Sequence, residues 1–318
     1  MGLKETETVA DITSSTTDGG QVVTSTGRGR LVLRRFLRNP WAVAGVAVIA
    51  LLYVTAFSYP LFSPFSYEFH DTNLTYDPPS ATHWFGTDNI GTDMFVSTMR
   101  GLQKSLTIGL MVGAISTLLS AVVGATAGFF GGITDRALMW VVDLLLVLPS
   151  FLIISIASPL FKGSSWLIFV VLLGLFQWMI TARIVRGMTL SLKTREYVVA
   201  ARFMGQSPWR IIAKHIVPNM SSLLIVDATI NVGSAVLQET GLSYFGFGVQ
   251  PPDVSLGTLI SAGTSSALTF PWLFYAPASM LIITLLSVAV VGDGLRDALD
   301  PTAARARRRE RRKDPSFS

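Results

Sequence analysis

The chain has 318 residues, half of them hydrophobic and only 14% charged, with a mean hydropathy of +0.51, a formal net charge of +5 and no cysteine. Soluble domains carry roughly 25% charged residues, so this composition excludes an ordinary water-soluble enzyme and indicates an integral membrane protein. Without cysteine, neither a disulfide framework nor thiol catalysis is possible.

Residues 1–33 are polar and rich in Ser, Thr and Gly, with no apolar core of the kind a cleavable signal needs, and are expected to form a disordered cytoplasmic tail. The basic group Arg28, Arg30, Arg34, Arg35 and Arg38 stands beside the first apolar run, so anionic membrane lipid rather than nucleic acid is its expected partner. Residues 34–63 hold the first transmembrane helix, apolar from Trp41 to Phe62, and residues 64–103 are expected as an extracytoplasmic loop. In that loop the run from His83 to Asp93, HWFGTDNIGTD, offers Gly86 and Gly91 for tight turns and Asp88 and Asp93 to cap the turns that follow. Residues 104–301 carry five further spans, predicted at Leu106 to Phe129, Leu138 to Ile156, Trp166 to Ala182, Ser222 to Val236 with an extension, and Trp272 to Val291. Residues 302–318 are a basic tail. The prediction is an all-α membrane protein of six transmembrane helices. An even number places both termini on one face, and of the 25 Lys and Arg all but Arg100, Lys104 and Lys162 fall there, which makes that face cytoplasmic.

Small residues recur along the second span at Gly109, Gly113, Ser116, Ser120, Gly124 and Gly128, the pattern that lets helix backbones approach closely in lipid. This predicts an interior helix whose close neighbour is either its own chain or a partner. Signs of catalysis are absent from the sequence. The nearest approach to a phosphate-cradling loop, Gln103-Lys104-Ser105, lacks the glycines, so any ATP used must be bound by another chain. His70, His83 and His215 have no ligand spacing, and no nucleophile motif occurs.

Between the fourth and fifth spans lies a charged loop, residues 195–219. Arg195, Glu196, Arg202, Arg210 and Lys214 keep it out of the hydrocarbon, where one charge costs about 2.5–3.5 kcal/mol at a helix centre. Two short helices are predicted in it, Glu196 to Met204 and Pro208 to His215. Gly205 ends the first, and Ser207-Pro208 supplies a cap followed by proline at the first helical position of the second.

Ala200-Ala201, three residues, Gly205, nine residues, then His215-Ile216-Val217-Pro218 resembles the coupling loop of ATP-binding-cassette importer permeases, whose pattern runs Glu-Ala-Ala, three residues, Gly, nine residues, Ile-x-Leu-Pro. Val199 stands in place of the family's Glu and His215 in place of its Ile. Three other segments, Gly86 to Asp93, Glu239 to Pro252 and Gly292 to Pro301, resemble the dipeptide, oligopeptide and nickel subgroup, and within it the C-type permease; Thr92, Leu256 and Ala289 depart from the subgroup's usual residues. The resemblance implies a type I importer permease fold in a bacterial plasma membrane, with a second, B-type permease, two ATPase subunits that bind ATP and magnesium, and an extracytoplasmic binding protein as partners. Peptide is the implied substrate class. The resemblance also implies that Glu196, Ala200, Ala201, Gly205, Ser207, Pro208, Trp209, Arg210, Ile211, Ile212 and Pro218 belong to the ATPase-coupling loop, with Gly205 to Ile212 as its docking surface.

Asp143, Asp227 and Glu239 fall in or near the ends of spans, where carboxylates are expensive and face partners or water. Asp143 is expected to pair with an arginine or a backbone group. Glu239, followed by a Gly-aromatic turn that reaches Phe245, is a candidate for the pathway or its outer gate, as are Phe245 itself, Asp143 and, deeper in, Asp227. The alternative reading from another class is a self-contained, proton-coupled secondary transporter that uses Asp143, Asp227 and Glu239 as a relay.

Overall fold

The computed structural model describes residues 28–63, 74–161 and 166–299. The expected basic tail of residues 302–318 and most of the polar N-terminal tail lie outside these. Residues 28–33, assigned to that tail by composition, belong instead to helix α1 (Arg28–Phe36), whose Phe36 packs near Gly294 of the last helix. Asn39 then caps α2 (Pro40–Phe62), accepting from the Trp41 and Ala42 amides, with Pro40 preset for the first turn.

Helix α3 (Met94–Phe130) runs unbroken for 37 residues, about 55 Å at 1.5 Å per residue against a hydrocarbon layer of about 30 Å. The helix begins well before the apolar span expected from Leu106, because Asp93 caps it, its Oδ1 accepting from the Val96 amide at 2.9 Å. The third span is broken: α4 (Gly132–Val147) and α5 (Ser150–Ala157) meet at 77°. Pro149 is the cause, since it forces Leu148 into an extended conformation (φ −75°, ψ 125°) and ends α4. The fourth span is longer than expected and bent by 46°, with α6 (Trp166–Gln177) before Trp178 and α7 (Met179–Leu192) after it. The indole of Trp178 donates to the Leu175 carbonyl at the bend. Helices α8 (Glu196–Phe203) and α9 (Pro208–Ile211) form the charged loop. A π turn (Ile212–Ile216) and a 3₁₀ turn (Val217–Met220) then carry the chain into α10 (Ser221–Tyr244), so the second loop helix does not stop at His215. A short α11 (Leu256–Thr264) and α12 (Trp272–Leu299) complete the described chain. Four helical runs are long and apolar enough to cross a membrane, and six if each bent pair counts as one span.

Helix α3 is the axis of the bundle, touching α2, α4, α6, α7, α10, α11 and α12. Its small residues settle the choice between own chain and partner. A Cβ on Gly124 would stand 2.5 Å from the Ala182 carbonyl oxygen of α7, and one on Gly109 would stand 2.6 Å from Val236 of α10. Both faces of the stripe therefore bury against this chain.

The segment before α3 is a compact turn structure. Asp88 Oδ1 accepts the amides of Ile90 and Thr92, and His83 Nδ1 lies 2.7 Å from Asp93 Oδ2 in a buried pair. Trp272 of α12 donates to the Thr87 carbonyl at 3.1 Å, and Tyr76 stacks on Phe270, which fasten this segment to the start of the last helix and the turn before it.

Candidate functional site

The charged loop is a rigid knob. Gly205, at φ +70°, closes α8 by a paired backbone turn: the Gly205 amide donates to Arg202 and the Gln206 amide to Ala201. Glu196 in the first turn of α8 suits the positive end of the helix dipole. Val198, Ala201, Ile211, Ile212 and Ile216 pack into one buried cluster with Ala121, Ala125 and Phe129 of α3, Val185 of α7 and Leu224 of α10. The loop is thus an extension of the bundle's core, not a flexible tether.

This packing corrects part of the expected docking surface. Ile211 and Ile212 face inward and anchor the loop, as does Ala201. The outward apolar face is instead made by Phe203 (88% exposed), Met204 (71%) and Trp209 (58%), next to exposed Ala200, Gly205, Ser207, Pro208 and Arg210. Phe203 and Met204 were legible as two large apolar residues in a water-exposed loop directly before the turn glycine, a placement that burial in this chain does not explain. Arg195, Arg202, Arg210 and Lys214 are exposed around them, against Glu196 as the exposed acid in residues 195–214. Val199, where the resemblance has a Glu, is partly exposed and adds to the apolar side. Trp209 packs at a tilt against Phe130, with ring centroids 5.5 Å apart, and the Arg202 guanidinium lies 5.2 Å from the Phe129 ring centroid, so both are positioned by the end of α3. Pro218 begins the return into α10 as part of the 3₁₀ turn.

The three carboxylates have separate surroundings. Asp143 of α4 pairs with Arg183 of α7, as expected, and the pair is exposed. A second bridge that the sequence did not reveal, Asp135 to Arg186, is bidentate at 2.5 and 2.6 Å and ties the same two helices. Asp227 accepts from Thr181 at 2.7 Å and from Asn231 at 2.8 Å. Glu239 does not reach water at an outer mouth: its side chain is fully enclosed, accepting from Ser105 at 2.8 Å and Ser243 at 2.6 Å. The reason is the cover over it. Gly248 and Gly257 let residues 246–257 lie directly on α10, where a Cβ on Gly257 would stand 2.4 Å from the Thr240 carbonyl oxygen. The Val249 amide bonds to Ser243 Oγ and the Leu256 amide to Ser105 Oγ, completing the enclosure. Phe245, by contrast, is 62% exposed, with its ring edge-on to Phe151 of α5.

A bundle of apolar spans around one long central helix, with an apolar and basic knob between the fourth and fifth spans, defines a subunit of the membrane-transport class. The chain belongs to the family of binding-protein-dependent transport system inner membrane components, whose profile matches residues 120–305. Residues 27–79 match the N-terminal transmembrane domain of oligopeptide transport permease C. The chain is 55% identical over 282 residues to the oligopeptide transport system permease protein OppC of Mycobacterium tuberculosis, covering 88% of this chain and 97% of that one. It is 39% identical over 269 residues to the OppC protein of Bacillus subtilis, covering 84% and 87%. The inward-facing MetNI methionine ABC transporter matches with a TM-score of 0.52 at 20% identity, covering 65% of this chain and 98% of the other, which shows the shared fold.

Proposed function

We propose that the chain is the C-type permease of a peptide-class ATP-binding-cassette importer in a bacterial plasma membrane. It lines the pathway together with a B-type permease, receives peptide from an extracytoplasmic binding protein, and is driven by two ATPase subunits that hold ATP and magnesium. Both tails and the 195–219 loop face the cytoplasm in this reading, in accord with the distribution of basic residues. The relatives named as oligopeptide permeases support the substrate class, since the match covers nearly their whole length. The observation that carries the coupling role is the exposed Phe203, Met204 and Trp209 face on a loop whose other side is welded to α3, α7 and α10. An apolar face of this kind with a basic surround fits an apolar cleft with an acidic rim. The proton-relay alternative gains nothing from the geometry: Asp143, Asp227 and Glu239 are each engaged by different side chains.

The test is reconstitution with the partner permease, ATPases and binding protein. Peptide uptake should need ATP, and Phe203→Ala with Met204→Ala should strip the ATPases from the purified complex while the permease pair stays intact. Uptake driven by a pH gradient without ATP would overturn the reading.

A further inference from the structure

The charged loop hangs from two legs, α7 and α10, and between these legs within the membrane lies one polar clamp. Asp227 of α10 receives the Thr181 hydroxyl of α7 on Oδ1 and the Asn231 side-chain amide on Oδ2. Gln177, the last residue of α6, donates from Nε2 to the Asn231 carbonyl at 3.0 Å, and the Asn231 amide also reaches Ser116 of α3 at 3.5 Å. Gln177 and Thr181 stand on opposite sides of Trp178, where the fourth span bends by 46°. One helix, α10, therefore grips a broken span on both sides of its break.

Close packing does not require this arrangement. The glycines of α3 already hold α7 and α10 at short range, and apolar side chains of similar size would fill the site without placing a carboxylate and its donors inside a span. What hydrogen bonds add is register, because they fix particular atoms, whereas apolar contact is non-directional and lets helices slide. The clamp is also incomplete on one side only: Gln177 Oε1 is buried with no donor, while both Asp227 oxygens are engaged. The grip on α7 is the firmer one.

We propose that this clamp joins α7, the loop and the adjoining half of α10 into one mechanical unit that pivots at Trp178, with Asp227 as the positioning residue that keeps loop movement in step with the membrane helices. The proposal rests on the reading of the loop as the ATPase docking surface. Motion delivered to the loop enters both legs, and the clamp ensures that they turn together instead of shearing past each other. Above Trp178, α6 is left to the other half of the bend.

The experiment measures peptide imported per ATP hydrolysed in the reconstituted complex. Thr181→Val keeps shape and deletes one donor. Asp227→Ala deletes the carboxylate, and the pair Asp227→Asn with Asn231→Asp exchanges the two groups and restores an amide-to-carboxylate bond. Thr181→Val and Asp227→Ala should retain their ATPases and hydrolyse ATP on addition of loaded binding protein, yet import per ATP should fall at least about fivefold, the low end for coupling between distant sites. The exchange should restore most of that loss. An unchanged ratio in both single variants overturns the proposal, and so does an exchange that restores nothing. Loss of assembly in Asp227→Ala leaves Thr181→Val to decide, and loss of assembly in both would make the clamp a folding element and overturn the proposal as well. A wild-type complex whose hydrolysis ignores the binding protein would instead overturn the docking reading beneath it.

Discussion

Substituting Gly205 by Asn, Ala and Val separates backbone conformation from bulk at the turn of the charged loop. The glycine sits at φ +70°, and a Cβ placed on it meets no heavy atom within 4 Å, so there is no clash to relieve. The whole penalty is conformational. A left-handed backbone costs an ordinary L-residue about 1–2 kcal/mol, less for Asn, whose side chain can bond locally, and more for a β-branched residue. Since about 1.4 kcal/mol is a factor of ten, Ala should reduce the ratio of closed to open α8 turn by roughly tenfold, and Val by more. An opened turn releases the Gly205 and Gln206 amides and with them the aim of Phe203 and Met204. The assay is the apparent affinity of purified ATPase for the permease pair in detergent, measured for each variant at equal membrane yield. The expected order is Gly, then Asn, then Ala, then Val. Bulk would rank Ala above Asn, so an Ala variant that binds ATPase better than the Asn variant would refute the reasoning.

Three other outcomes are expected. In a chain without cysteine, Ser80→Cys should be labelled by an impermeant reagent from outside intact cells and Ser207→Cys only after permeabilisation, since both residues are exposed; the reverse pattern would invert the topology. Glu239→Leu leaves the Ser105 and Ser243 hydroxyls without their acceptor inside an enclosed site and should cost about 1–3 kcal/mol, visible as a lower melting temperature in detergent, with Glu239→Gln costing less because it keeps one oxygen. Gly124→Val should abolish stable expression because even its Cβ falls 2.5 Å from the Ala182 carbonyl oxygen, whereas Gly187→Ala, with no neighbour within 4 Å, should be tolerated and gain up to about 1 kcal/mol of helix stability.

The span count was legible because lipid demands long apolar runs, and the loop because charge cannot stay in hydrocarbon. Boundaries were less so. Asp93 begins α3 well before its apolar stretch does, a start that capping chemistry marks and hydropathy does not. The third span was expected unbroken from Leu138 to Ile156 although Pro149 lies inside it, and the bend at Trp178 carries neither proline nor glycine at its centre. The loop's outline, Gly205 and Ser207-Pro208, was readable from helix-ending chemistry, while the inward turn of Ile211 and Ile212 depended on which face met α3, a tertiary fact. Glu239 shows the limit most clearly. Position along a span suggested water, and only the return of residues 246–257 over α10, made possible by Gly248 and Gly257, shows it to be enclosed.

The π turn between the loop and α10 sets a compass bearing. The Val217 amide bonds to the Ile212 carbonyl, five residues back where an α-helix would use four, so this turn holds one residue more than regular winding needs, just before the tighter 3₁₀ turn of Val217–Met220. One residue is about 100° of helical rotation. The winding of this joint therefore sets the direction in which Trp209 and Arg210 point relative to Asp227 and Glu239. Deleting the exposed Ala213 would swing one against the other by about that angle. On the proposed docking role, one residue gained or lost here would re-aim the loop without altering the membrane helices.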